Sequence, residues 1–347
     1  MEKKPTVIDL FCGCGGLSLG FLQAGYDVVL GIDNCKNAIE TFTKNHKNST
    51  GLVADLSAIT PKDISLKTGI AKIDVIIGGP PCQGYSIAGK RIIEDSRNEL
   101  YKSFVKFVEY FEPQAFLMEN VPNILSIGNG AIKNNIINDF SGLGYKVVCK
   151  VLLASDFGVP QNRKRAFFIG LKNNIEFQFP ILQNNIVTAA EAISDLPEDT
   201  VVDGMDYPSE ATSTYQKLMR KNSKAIYNHL ITQHKDTTKQ IIALVPDGGN
   251  YKSLPVELQK TRKVNIAWTR LNSKKPSFTI DTGHNHHFHY KFNRVPTVRE
   301  SARIQSFPDD FIFVGTLTSQ LRQVGNAVPP LFAKILAKSL KNSIRIQ

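Results

Sequence analysis

Short apolar runs alternate with longer amphipathic stretches over roughly the first 170 residues, the pattern of parallel strands covered by helices. Strands are expected at 6–10, 28–32, 52–54, 74–77, 115–118, 145–153 and 166–169. The stretch after Gly16 sets Leu17, Phe21 and Ala24 on one helical face and stops at Gly25, a residue suited to closing a helix. Another places Leu100, Phe104, Phe107 and Phe111 on one face before Pro113. From about Leu171 to Lys291 the periodicity loosens into polar, Asn- and Lys-rich sequence punctuated by Pro180, Pro197, Pro208, Pro246 and Pro255. Residues 331–340 are amphipathic again and are expected to pack back on the first sheet. The organisation predicted is α/β: a sheet with helices on both faces over 1–170, completed by 323–347, and a smaller, irregular, β-rich domain over 171–322.

Composition fits two domains of a soluble globular chain, with 347 residues, 42% hydrophobic and 21% charged. No apolar run approaches the ~20 residues that span a bilayer, and Met1-Glu2-Lys3-Lys4-Pro5 has no signal-peptide core. A cytoplasmic location without membrane contact is expected. The five cysteines, Cys12, Cys14, Cys35, Cys82 and Cys149, contain no C-x-x-C pair, which argues for reduced thiols and against a zinc knuckle. Charge is unevenly placed. Residues 1–200 carry 20 Lys+Arg against 21 Asp+Glu, and 201–347 carry 22 against 10, so the net +11 resides almost wholly in the second part. Such a regional excess suits a polyanionic partner, with a solvated basic face as the plainer alternative.

Ligands of open parallel sheets gather at the carboxyl ends of the strands. After the first expected strand comes Phe11-Cys12-Gly13-Cys14-Gly15-Gly16, after the second Asp33, after the third Asp55, after the fourth Pro80-Pro81-Cys82 and after the fifth Glu119-Asn120-Val121. The dinucleotide pattern G-x-G-x-x-G is not met, since Ser18 stands where the third glycine belongs, and this disfavours NAD. Asp33, 17 residues beyond Gly16, is placed to accept hydrogen bonds from ribose hydroxyls, and Asp55 from an adenine amino group. The two acids suit an adenosine ligand without a pyrophosphate, such as S-adenosylmethionine; either one taken singly could equally cap a helix.

Cys82 follows two prolines that stiffen the backbone, and Gly84 lets the chain turn away. A free thiol is only a few per cent thiolate at neutral pH, and Arg163 and Arg165 are candidates to supply the positive charge that activates it. Alone, a single cysteine reads as an inert buried thiol. Its context changes that reading. The chain resembles the bacterial cytosine carbon-5 DNA methyltransferases of restriction-modification type in six ordered blocks. These are Asp9-Leu10-Phe11-Cys12-Gly13-Cys14-Gly15-Gly16, Gly79-Pro80-Pro81-Cys82-Gln83, Glu119-Asn120-Val121, Gln161-Asn162-Arg163-Lys164-Arg165, the run from Arg299 to Asp309, and the run from Gln323 to Pro329. They span almost the whole chain apart from 171–290, the place of that family's variable target-recognition region.

The resemblance implies a Rossmann-like fold of the S-adenosylmethionine-dependent methyltransferases and a target cytosine flipped out of duplex DNA. It also implies addition of Cys82 to carbon 6, with Glu119 at ring nitrogen 3, Arg163 orienting the base and Arg165 supporting the acid. Carbon 5 is too poor a nucleophile until a group has added at carbon 6, which is why the pocket needs a thiolate and an acid together. Cofactor contacts carried over are Phe11, Gly13, Gly15, Gly16, Leu17, Asp33, Asn34, Asp55, Leu56, Pro80, Leu100, Asn326 and Val328, with S-adenosylhomocysteine as the product and no metal. Cys12 and Cys14 depart from the usual small or apolar residues, and Asp33 stands where Glu is frequent. The loop 86–98, with Lys90, Arg91 and Arg97, could close over the base; a plain mobile loop is the alternative. Double-stranded DNA is the expected partner, with a cognate restriction endonuclease acting on the same site without direct contact, and a monomer is expected.

Residues 211–263 hold ten Lys+Arg against three Asp+Glu, interleaved with Tyr215, Tyr227 and Tyr251, a composition suited to phosphates and groove edges. His284-Asn285-His286-His287-Phe288-His289 fits no standard zinc spacing, so a structural or DNA-facing role is favoured over metal. Three rivals are weighed against this reading: methylation of transfer RNA, against which the long basic region favours duplex DNA; a catalytically dead DNA-binding homologue, against which intact Cys82, Glu119 and Arg163 argue; and a nicotinamide oxidoreductase, disfavoured by the failed glycine pattern.

Overall fold

The computed structural model describes residues 3–81, 100–183, 185–260, 268–282 and 287–344. Its chain divides into two compact units, one of 1–153, 164–181 and 332–347, the other of 154–163 and 182–331.

The first unit is built on a seven-stranded sheet: β1 (Thr6–Leu10), β2 (Asp27–Asp33), β3 (Thr50–Val53), β4 (Val75–Gly78), β5 (Ala115–Asn120), β6 (Lys146–Leu153) and β7 (Lys164–Leu171). In space the order is β3-β2-β1-β4-β5-β7-β6. The first five strands are mutually parallel, whereas β7 runs antiparallel to both β5 and β6. All seven expected strands form, and β7 alone departs from a parallel sheet, since β6, antiparallel to β7, runs with the first five. The direction of β7 follows from the connection: residues 154–163 return the chain directly beside β6, without the crossover helix a parallel neighbour requires.

Strands β1, β2, β4 and β5 are largely buried apolar runs because helices cover them, whereas the edge strand β3 has no buried residue. Helix α1 (Gly16–Gln23) starts at Gly15 in the left-handed region and closes with Gly25, whose amide donates to the Leu22 carbonyl at 3.0 Å. The remaining helices here are α2 (Lys36–Asn45), α3 (Pro61–Thr68), α4 (Leu100–Phe111) and α5 (Ala131–Gly142). Phe104, Phe107 and Phe111 of α4 are buried as their spacing requires, and Phe104 meets Phe116 and Phe140 edge-on. From Phe332 onward the helix Pro330–Lys341 belongs to this unit: Phe332 packs on Phe167, and the Tyr26 hydroxyl donates to the Ala337 carbonyl at 3.0 Å.

The second unit differs from the β-rich expectation. Its described residues hold helices α6 (Ala189–Ile193), α7 (Thr214–Arg220), α8 (Asp236–Ala243), α9 (Val256–Gln259), α10 (Val298–Ile304) and α11 (Leu317–Asn326), with two pairs of two-residue strands. Local chemistry accounts for much of this. Thr188, Ser213 and Thr297 each form a capping box with Glu191, Gln216 and Glu300, and these satisfy the first amides of three helices. Extended segments meanwhile give their carbonyls to buried arginines rather than to a ladder. Arg270 donates to Val245, Ile242, His289 and Phe292 carbonyls at 2.6–3.1 Å. Arg303 binds Asp309 through Nε and Nη2, both at 2.6 Å, and Asp195 through Nη1 at 2.9 Å. Arg294 grips Glu300 with two bonds of 2.8 Å.

His289 is buried beside this network, so the part of the histidine cluster at its end is structural; His284, Asn285 and His286 lie outside the described residues. Its Nδ1 accepts from the Lys291 and Phe292 amides, which places the proton on Nε2 facing Glu300 at 3.7 Å. Burial lowers its pKa to about 4, and burial lowers that of His46 in the first unit to about 4 as well. An unfolded histidine titrates near 6.5, so between pH 6.5 and 4 the unfolded chain binds more protons at these two positions. Both contributions are therefore fully present above pH 6.5 and are lost as pH falls through 4. Urea midpoints are expected to drop across that window, and His289→Gln to flatten the fall; an unchanged slope in that variant counts against the assignment.

Candidate active site

Parallel strands end at one edge of the sheet, so the residues after β1, β2, β3, β4 and β5 share that edge. At its centre Phe11 takes a left-handed backbone (φ 59°), an unusual state for a non-glycine residue, and packs part of its ring on the core. The turn behind it is held by Cys12 N–H to the Ile32 carbonyl (3.0 Å), Gly15 N–H to the Cys12 carbonyl (2.9 Å) and Gly13 N–H to Asp33 Oδ2 (2.9 Å). Asp33 Oδ1 accepts from Cys35 N–H at 2.9 Å. Burial raises the Asp33 pKa, and amide donors from Cys35, Gly13 and Asn34 oppose it. Asp33 thus organises the turn as well as facing the edge. Gly16 and Leu17 are buried at the start of α1, and Asn34 is exposed. Asp55 is exposed, with Oδ1 bonded to the Ser57 hydroxyl (2.7 Å) and amide (2.9 Å), and these bonds lower its pKa; Leu56 beside it is buried.

Gly78 closes β4 where a side chain is impossible, since a Cβ would lie 2.1 Å from the Leu10 carbonyl oxygen. The next residues lead to Pro80, which is buried and whose carbonyl accepts from Asn120 Nδ2 at 3.0 Å. A Cβ on Gly79 would lie 3.1 Å from Glu119 Oε2, so the approach to Pro80-Pro81 runs against that carboxyl group. Glu119 ends β5, and its Oε1 stands 2.8 Å from Arg165 Nε of β7. The N–H is misdirected for a hydrogen bond, and Oε1 has no hydrogen-bond partner among the described residues. The pair is therefore a close charge contact that leaves the acid free to bond elsewhere. Leu100, half-buried, begins α4. Cys82, Gln83, Gly84 and the loop 86–98 lie outside the described residues. Burial pushes the Cys14 thiol up to about 12 and the Cys12 thiol well above its ordinary range, so neither is a thiolate at neutral pH.

The second unit holds Arg163, Asn326 and Val328. Arg163 is buried, with Nη1 3.4 Å from the Ile280 carbonyl and Nη2 3.5 Å from the Asn326 carbonyl, long contacts at the limit of hydrogen bonding. Asn326, with an exposed side chain, ends α11, and Val328 is buried just beyond. Gln161 accepts from Ile280 N–H at 2.9 Å and donates to Gln305, which in turn donates to the Val324 (2.9 Å) and Ala327 (2.7 Å) carbonyls. Three of the six sequence blocks thus meet in one buried amide network.

Two residues beside the glycine turn were assigned no role from sequence. Asp9, buried in β1, accepts from the Ser18 hydroxyl at 2.6 Å through Oδ2, while its Oδ1 has no hydrogen-bond partner among the described residues. Burial, with Asp33 adding to it, raises its pKa to about 7. An acid inside an apolar strand run was the available signal. His46 stacks on Phe42 with ring centroids 4.3 Å apart and donates from Nδ1 to the Phe42 carbonyl at 2.9 Å. A Cβ on Gly15 would lie 2.3 Å from its Cε1, and Gly15 has φ 91°. Gly15→Ala is therefore expected to cost about 2–4 kcal/mol from left-handed strain and overpacking together. Gly69→Ala, at φ 73° with open space around it, should cost only about 1–2 kcal/mol. Thermal melts of the two variants check this, and equal losses would sink the role given to His46.

Residues 5–342 match the family model of the C-5 cytosine-specific DNA methylases, and the chain belongs to that family. It is an enzyme class that transfers a methyl group to carbon 5 of cytosine in DNA. Among its relatives are the type II methyltransferases M.DdeI of Desulfomicrobium norvegicum, 39% identical over 96% of this chain and 88% of the relative, and M1.HphI of Haemophilus parahaemolyticus, 38% identical over 96% and 86%. An E. coli prophage protein assigned as a DNA modification methyltransferase superposes with a TM-score of 0.82 at 31% identity, covering 98% of this chain and 99% of its own. The Entamoeba histolytica methyltransferase EhMeth, at 15% identity and a TM-score of 0.68 over 99% of this chain and 100% of its own, shares the fold. Among the described residues no helix is long and apolar enough to cross a membrane.

Proposed function

We propose that this chain modifies one cytosine of a short duplex sequence in a restriction-modification system, through a covalent adduct on Cys82. The observation that carries the reading is Glu119: a carboxyl group at the strand edge, 2.8 Å from Arg165, with one oxygen free of hydrogen bonds among the described residues and the other beside the Gly79-Pro80-Pro81 approach to Cys82. The Cys82 thiolate adds to carbon 6 of a flipped cytosine, and the electron pair displaced toward ring nitrogen 3 is met by a proton held on Glu119. Arg163 orients the base through its carbonyl oxygen, and Arg165 fixes the position of the acid. S-adenosylmethionine, when bound, supplies a methyl group on a sulfonium to the carbon 5 that this addition has made nucleophilic. Loss of the carbon 5 proton to a base then drives Cys82 out as thiolate.

The glycine turn suits such a cofactor. Phe11 offers an aromatic face, Gly13, Gly15 and Gly16 admit close approach, and Leu17 lines the helix start. Asp33 with Asn34 would hold a ribose, Asp55 with Leu56 an adenine edge, and Pro80, Leu100, Asn326 and Val328 complete the set. Asp9 Oδ1, without a hydrogen-bond partner among the described residues, leaves an acceptor in the same turn. The second unit reads the target sequence, with its basic stretch 211–263 toward phosphates, and the enzyme works as a monomer beside an endonuclease of the same specificity. Type II relatives at 38–39% identity over most of their length support this setting. Plasmid DNA from cells expressing the chain, sequenced with detection of 5-methylcytosine, should show one modified sequence. Methylation on cytosine nitrogen 4 or on adenine, or label entering only transfer RNA, would overturn it.

A further inference from the structure

Phe278 is the one exposed aromatic ring among the described residues of the second unit, with 43% of its surface open. Its backbone is nevertheless firmly fixed. Gln161 and Ser277 form a parallel bridge, Asn162 N–H donates to the Ser277 carbonyl at 2.8 Å, and Ser277 N–H to the Pro160 carbonyl at 2.9 Å. Thr279 Oγ1 donates to the Asn162 carbonyl and Ile280 N–H to Gln161 Oε1, both at 2.9 Å. The Ile280 carbonyl, two residues on, accepts from Arg163. His287 backs the ring, with centroids 5.3 Å apart and planes 19° from parallel, and its neighbour Phe288 is anchored in a buried cluster with Trp268. Lys274, Lys275 and Asn162 are exposed on the same two segments.

A ring left in water forgoes the stabilisation of burial, and a rigid mounting removes the option of folding it away. We propose that Phe278, backed by His287, is a stacking platform for a base of the DNA substrate that loses its neighbour when the target cytosine leaves the duplex. The inference rests on the base-flipping reading above. Flipping costs unstacking and uncovers a base face, and stacking that face on an aromatic ring returns part of the cost. Lys274 and Lys275 supply charge for the flanking phosphates. The position beside Gln161, Asn162 and Arg163 ties the platform to the segment that also carries the base-orienting arginine.

The test uses the full chain with S-adenosylhomocysteine and a duplex carrying the methylated sequence mapped above, alongside the same duplex with an abasic site in place of the target cytosine. Phe278→Ala should weaken binding to both about tenfold with an unchanged salt slope, because no phosphate contact is lost. Phe278→Trp should keep affinity within about threefold. The wild-type chain contains one tryptophan, so extra emission in Phe278→Trp reports the site and should be quenched when either duplex binds. Alanine binding within twofold of wild type, a shallower salt slope, or unquenched emission from a variant with a wild-type melt would each overturn the platform. A wild-type chain that leaves plasmid cytosines unmethylated removes the functional reading instead, so the two failures are distinguishable.

Discussion

Cys82→Ser is expected to stop methyl transfer while leaving DNA and S-adenosylhomocysteine binding within a fewfold of wild type. Serine keeps the shape but its hydroxyl stays protonated, whereas a thiol near pKa 8.5 is readily drawn into thiolate by neighbouring arginines. Removing a covalent nucleophile costs on the order of 10⁶-fold in the best-studied hydrolases. Glu119→Gln is the companion: it retains a hydrogen bond and loses the proton donor, for which a fall of about 10²–10⁴-fold is expected. Arg165 then faces a neutral amide instead of a charge 2.8 Å away. Single-turnover label transfer and gel shifts on the mapped duplex measure both variants. Residual turnover above about a hundredth of wild type in Cys82→Ser would remove it as nucleophile.

The second large effect concerns stability. Arg303→Met should destabilise the second unit by about 3–5 kcal/mol, since it strips the main counter-charge from two buried carboxylates, Asp195 and Asp309. Arg220, 3.1 Å from Asp195, and Arg299, 3.7 Å from Asp309, remain but meet each carboxylate from one side only. Arg303→Lys keeps the charge and loses the fork that bonds both acids together, so its loss should be smaller but still clear. Urea denaturation separates these values, and a shift below about 1 kcal/mol for Arg303→Met would show that the network relaxes around the gap.

The network also corrects a sequence inference. In the sequence the basic excess of 201–347 suits either a surface for a polyanion or a solvated basic face, yet Arg270, Arg294, Arg299 and Arg303 are all buried and bonded to carbonyls or carboxylates. An arginine in a string of letters looks like surface charge, and only the fold shows which ones are structural. The remaining cations still carry the electrostatic case, with a smaller margin. Strands of the first unit were legible because each is a short apolar run bounded by turn residues, whereas the reversal of β7 was not, since periodicity carries no direction. In the second unit Thr188, Ser213 and Thr297, each followed three residues later by Glu or Gln, did announce helices. Weak apolar periodicity in the polar stretch obscured them. At the candidate site the ordered motifs named Glu119 and the glycine turn, but not that His46 fills the space a Gly15 side chain would need.

The bond from Tyr26 to the Ala337 carbonyl joins positions 311 apart in the sequence. A ribosome makes the glycine turn before, and the helix that packs on its sheet after, all of the second unit. The first sheet must therefore wait, partly uncovered, until the second unit has been translated. A transcript cut short before Phe332 yields a protein whose first unit lacks its final helix, however intact its catalytic blocks.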